Sequence, residues 1–182
     1  MKFVKQTLAI ATCFYLAGCA SGAQVENMIY KGDKQEYSSE IKENVVLSSV
    51  TGGEDTNPAW TSEISDKAFS GAIKESLVNE GLYSDNGKYS LSVEMVEIDQ
   101  PSFGFDMTVT TIVKYILKDE SSGEVVLSKE VNAPYTATIG DAFSGVERLK
   151  LANEGSGRKN IEELIKLLSD LNIEIDKISM VK

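Results

Sequence analysis

The chain contains no histidine. That removes the commonest general base near neutral pH and the commonest metal ligand. Its only cysteines, Cys13 and Cys19, lie close together near the start. No run has the spacing of a zinc site or a calcium loop, so no metal or other cofactor is expected. Positive charge is scarce: 18 Lys and Arg face 28 Asp and Glu, for a net charge of −10. Such a surface repels phosphate backbones and has little counterion release to gain, which excludes nucleic acid as a partner. It is repelled by anionic membrane surfaces too. Long hydrophobic runs are absent as well; the run from Thr7 to Leu16 is too short to span a bilayer as a stable helix.

What is present begins at that short run. Lys2 and Lys5 precede it and small residues follow it, the pattern of a signal peptide over residues 1–18. Leu16-Ala17-Gly18-Cys19 resembles the lipobox of bacterial lipoproteins. The resemblance implies cleavage before Cys19, diacylglycerol on its thiol, and a further acyl chain such as palmitate on its amine. The alternative is a plain secreted protein cut by an ordinary signal peptidase. Several acyl chains on one residue exceed what stable anchoring needs. Ala20 occupies the position where Asp is the usual inner-membrane retention signal of Gram-negative lipoproteins. It therefore implies the periplasmic face of the outer membrane. Cleavage removes Lys2 and Lys5, taking the charge to −12. It also removes Cys13, and lipid blocks Cys19, leaving no thiol for a disulfide, a metal or nucleophilic attack.

Residues 19–39 are mostly polar and read as a lipidated terminus and flexible tether. Residues 40–182 read as a single α+β domain facing the periplasm. Strand signals occur at 43–53, 89–99, 107–118 and 124–138. In 89–99 the alternation slips after Met95, which suggests a bulge. Pro134 should end a ladder or mark an edge strand. Two helices are expected. One is capped by Thr61 or Ser62, carries Ile64, Ala68, Ala72, Ile73 and Leu77, and stops at Gly81. The other is capped by Asp141 and runs in one phase from Val146 to Leu171. It passes through Gly155 and Gly157, with small residues where it crosses something closely. A break at Glu154-Gly155-Ser156-Gly157 is the alternative, since glycine costs about 1 kcal/mol in a helix interior. The order strand, helix, three strands, helix gives a two-layer sandwich. Its sheet is mixed but mostly antiparallel, of about four strands, with two helices on one face.

The segments "NPAWTSEISDKAFSGAIKESLVNEGL" and "APYTATIGDAFSGVERLKLANEG" resemble a family of small, uncharacterised bacterial lipoproteins. Some of its members carry the name UDP-N-acetylglucosamine acyltransferase. Enzymes of that name are left-handed β-helices of hexapeptide repeats with a histidine base. This chain has neither the repeat nor the histidine, so the name does not fit its chemistry. Phe69, Ala72-Ile73, Ser76-Leu77 and Gly81-Leu82 are also similar to the first helix of envelope auxiliary lipoproteins, a likeness at the level of fold.

No constellation supplies a catalytic machine. Ser156-Gly157-Arg158-Lys159 matches S-x-x-K and Ser84-Asp85-Asn86 matches S-D-N, but in reversed order and without K-T-G. Glu94, Glu97 and Asp99 read as a solvated edge. The candidate partner or ligand surface comprises Trp60, Phe103, Phe105, Tyr135, Phe143, Arg148 and Arg158. Exposed aromatics on loops would anchor a partner. The expectation here is plainer: Phe103 and Phe105 close the end of the core, Tyr135 and Phe143 flank a structural turn, and Arg148 and Arg158 make surface ion pairs. The function expected is therefore that of a non-enzymatic, lipid-anchored auxiliary or assembly lipoprotein that binds an envelope protein, lipid or glycan. A carrier for a lipid or small ligand is the alternative, and a histidine-free hydrolase or transferase ranks last.

Overall fold

The computed structural model describes residues 21–58 and 61–171. The elements run α1 (Val25–Met28), β1 (Val45–Thr51), α2 (Asp66–Asn79), β2 (Tyr89–Asp99), β3 (Met107–Asp119), β4 (Val125–Ala137) and α3 (Gly145–Ser169). The sheet order is β1-β2-β3-β4, with β1 parallel to β2 and the other pairs antiparallel. This is the expected α+β two-layer arrangement, with a short third helix added.

Each strand pattern explains one face. In β3, Met107, Val109, Val113, Tyr115 and Leu117 are buried against the helices, while Thr108, Thr110, Lys114 and Lys118 take the other face. The phase slip in β2 is a bulge between Met95 and Glu97 opposite Val113 and Ile112. β4 is the outer strand and continues through Pro134, which pairs with Thr110, so the proline marks an edge.

The helix starts differ from expectation. α2 begins at Ser65, whose Oγ accepts from the Ala68 amide at 3.2 Å, with Asp66 following in the first turn. Thr61 and Ser62 are occupied elsewhere: Thr61 Oγ1 donates to Glu63, and Ser62 Oγ donates to the Ser21 carbonyl. Ile64 therefore precedes the helix, although it is fully buried. α2 stops as expected where Gly81 takes φ +72°, a conformation that costs other residues more. Asp141 does not cap α3. Its carboxylate accepts from the Thr138 amide and hydroxyl at 2.7 and 2.9 Å, closing a separate turn, and the helix begins after Ser144.

α3 is one helix through both glycines, and each marks a close crossing. A Cβ at Gly155 would fall 2.2 Å from the Tyr135 ring, and one at Gly157 would fall 2.8 Å from Met28 Sδ. Between them Ser156 points into the sheet. Its Oγ accepts from the Thr111 amide at 2.9 Å and lies 2.6 Å from the Ala133 carbonyl, to which it donates. One turn later Asn160 Nδ2 donates to the Thr111 and Val131 carbonyls, while Asn160 Oδ1 accepts from the Tyr115 hydroxyl. All of these side chains are fully buried. Burial pushes the Tyr115 phenol well above its ordinary pKa.

The region read as a flexible tether is folded onto the body from Ser21 onward. Met28 is fully buried, and Ala23 and Tyr37 nearly so. The Tyr30 amide donates to Ser76 Oγ at 3.0 Å, and Tyr37 donates its hydroxyl to Glu80 at 2.7 Å. The segment's apolar residues are few but each finds a pocket. α1 lies against both α2 and α3.

Replacing Gly155 by Ala tests the close crossing. In a free helix the change gains about 1 kcal/mol. Here the methyl meets Tyr135, and overpacking of this kind costs about 1–3 kcal/mol. Urea unfolding of G155A should show a net loss of stability, and adding Tyr135→Ala should turn that loss into no change or a gain.

Candidate functional site

The most exposed apolar groups in the described chain lie at one end of the sheet. Phe103, Phe105 and Phe143 are 88, 82 and 94 % exposed, and Ile139 beside them is 53 % exposed. Phe103 and Phe105 sit on the β2–β3 loop; Ile139 and Phe143 sit on the β4–α3 loop. Burying each phenylalanine would be worth roughly 1.5–3 kcal/mol, so leaving three in water is a sizeable standing cost.

The expectation that these rings close the core is overturned. The end of the core is already filled by a small cluster of Met107, Val109, Ala137, Leu149 and Ala152. The loops above it are then held by backbone contacts that leave the rings outside. Arg148 makes most of them. It is buried, and its Nη1 donates to the Ala142 and Phe143 carbonyls at 2.8 Å each. Its Nη2 donates to the Gly104 carbonyl of the other loop at 3.3 Å. The Ile139 amide adds a second tie, donating to Asp106 Oδ1 at 3.2 Å. Arg148 thus makes no surface ion pair; it latches two loops. Arg158, three turns on, donates to the Asn27 carbonyl at 2.9 Å and lies over the Tyr135 ring, 5.9 Å from its centroid. Its partners are α1 and an aromatic face rather than a carboxylate. Tyr135, beneath Gly155, belongs to this helix-to-sheet contact and not to the Phe103–Phe143 tip. Trp60 lies outside the described residues.

The start of the described chain comes out beside the same tip. The Ser21 carbonyl accepts from Ser62 Oγ at 2.8 Å, and the Ala23 amide donates to the Glu63 carbonyl at 2.9 Å. Asn153 of α3 holds the Ser62 carbonyl at 2.7 Å. Glu63 in turn accepts from the side chain of Gln100, which opens the β2–β3 loop. A cleft of about 500 Å³ lies here, acidic through Glu54, Glu63, Glu97 and Asp99. Burial raises the Glu63 pKa, with the hydrogen bonds from Thr61 and Gln100 opposing that shift.

A second surface lies along β4. A groove of about 620 Å³ runs between Lys129–Pro134 and Lys159, Glu162, Glu163 and Leu167 of α3. The S-x-x-K match is not a catalytic pair: Ser156 Oγ is sealed against the sheet, while Lys159 Nζ reaches out to the Pro134 carbonyl at 3.0 Å. Among the described residues no cluster of His, Cys, Asp and Glu has the arrangement of a metal site. No helix among them is long and apolar enough to cross a membrane.

Sequence reasoning overlooked the buried polar row of Asn153, Ser156 and Asn160. Its signal was present: these residues recur at three- and four-residue spacing within the buried phase of α3.

No protein-family model matches the chain, and no curated protein matches it. Solved structures do. A Xanthomonas campestris protein of the DUF330 family superposes with a TM-score of 0.54 at 9 % identity, covering 75 % of this chain and 91 % of that one. A minor lipoprotein from Acinetobacter baumannii gives 0.46 at 10 %, covering 71 % and 92 %. The PelC dodecamer of Paraburkholderia phytofirmans gives 0.48 at 19 %, covering 79 % and 96 %. At such identities the likeness to the Xanthomonas protein is one of fold. The fold is an open four-stranded sheet with helices on one face, as expected, and not the β-helix of the acyltransferases.

Replacing Arg148 by Ala tests the latch. It strands three loop carbonyls that now accept from a charged donor, a loss of about 2–3 kcal/mol. Hydrogen exchange should quicken at 101–106 and 138–144 together and stay slow in β2 and β3. Loosening of one loop alone would refute a shared latch.

Proposed function

We propose that the chain is a lipid-anchored protein of the bacterial envelope that acts by binding a partner protein, not by catalysis. The lipobox-like Leu16-Ala17-Gly18-Cys19 supports the anchor, and Ala20 supports the outer membrane with the body on the periplasmic side. The observation that carries the binding role is the outer edge of β4, which no other described strand pairs with, thirteen residues long and bordered by the groove against α3. An outer strand offers unpaired amides and carbonyls to an incoming strand, and an adjoining groove offers places for its side chains. Pro134 and the Lys159 contact close one end of that edge, leaving 125–133 for the partner. A carrier would need a roomy apolar space between sheet and helices. The contacts of Gly155 and Gly157 instead bring α3 down onto Tyr135 and Met28. A hydrolase or transferase would need an accessible nucleophile beside a base, and Ser156 is buried away from Lys159.

The test is in-cell photo-crosslinking from Asn132, which is exposed and lines the groove. The wild-type background should sediment with outer membranes and capture one dominant protein. Cys19→Ser should pass to the soluble fraction and lose that capture. Cys19→Ser remaining on membranes would refute the anchor; no capture from the anchored protein would refute the β4 surface.

A further inference from the structure

We infer that the Phe103–Phe105–Phe143 tip dips into the bilayer that holds Cys19, so that the body stands on the membrane at two points, lipid and aromatic. The inference rests on the lipid-anchor reading and names what the tip meets. Ser21 is fixed to Ser62, and Cys19 precedes it by two residues, at most about 7 Å of chain. Ser62 adjoins Glu63, which holds Gln100, three residues before Phe103. The anchor and the rings therefore leave the body at the same end.

Three further facts favour lipid as the occupant. The rings are exposed by 82 % or more, yet their loops are already pinned by Arg148 and Asp106, so insertion orders little that is not ordered. Apolar rings on rigid loops gain free energy on entering the acyl boundary. The anchor makes that step intramolecular, so an insertion too weak to hold a free protein is still populated. Charge selects the lipid. The stretches 100–106 and 138–144 contain Asp106 and Asp141 but no Lys or Arg, and the neighbouring cleft is acidic. Anionic headgroups would repel this end, whereas zwitterionic phosphatidylethanolamine would not.

The sequence makes the test clean, because Cys19 is the only thiol left after cleavage and lipid occupies it. Single cysteines placed as Phe103→Cys, Phe143→Cys or Ser122→Cys can each be labelled with an environment-sensitive dye. Ser122 sits in the β3–β4 turn at the far end of the sheet. The lipidated proteins are reconstituted into vesicles of phosphatidylethanolamine and phosphatidylcholine and floated. Emission from 103 and 143 should shift to the blue and be quenched by nitroxide-labelled lipid, with neither change at 122. Flotation without a shift at 103 and 143, or with an equal shift at 122, overturns the inference alone. Failure to float overturns the anchor and the inference with it. A shift that arises only when an envelope protein extract is added overturns it in favour of a protein on the tip. A stronger shift when phosphatidylglycerol replaces phosphatidylcholine overturns the assignment to zwitterionic lipid.

Discussion

Everything in this fold leans on how closely α3 lies on β3 and β4. Ordinary side chains hold a helix and a sheet further apart; Gly155 and Ser156 bring this pair nearer, while Gly157 makes room for Met28 of α1. The closer approach lets Ser156 and Asn160 reach the strand backbone itself, bonding to Thr111, Val131 and Ala133. Those bonds are obligatory rather than optional. A buried amide or carbonyl without a partner costs about 1–3 kcal/mol, so Ser156 and Asn160 have one register in which they are satisfied. An all-apolar helix face would slide along the sheet at lower cost.

That fixed register sets what the start and the middle of α3 hold. At its start it places Arg148 where the guanidinium meets carbonyls of two loops, and the exposed rings follow from the latch. Through Asn153, Glu154 and Arg158 it holds Ser62, Gln24 and Asn27, and so the first described stretch of chain. The exit of the chain and the aromatic tip share an end of the molecule because one helix positions both. The outer edge of β4 flanks the same helix along its second half.

The strands and their faces were legible because period-two alternation is strong in β3 and because β2 shows its bulge as a slip in phase. The long helix was legible because its small residues stayed in phase across two glycines. Helix starts were not. Several Ser, Thr and Asp residues stand before each helix, and the cap is chosen by which of them the tertiary structure leaves free: Ser62 is drawn to Ser21, and Asp141 to Thr138. The tether reading failed because Ala23, Met28 and Tyr37 are sparse among polar residues, so no periodicity announces their burial. The tip residues were legible as candidates, but not their exposure. That depended on Arg148 finding carbonyls instead of carboxylates, which no spacing in the sequence encodes.

Hydrogen exchange at the Thr111 amide tests the seat of α3 most directly. This amide donates to a side-chain oxygen, Ser156 Oγ, inside the body. It should rank with the slowest amides of β3 in the wild type, and Ser156→Ala should speed it by about tenfold or more relative to Val113 beside it. A Thr111 amide that exchanges as fast as exposed loop amides, or that ignores the loss of Ser156, would mean that α3 is not held to the sheet in this way.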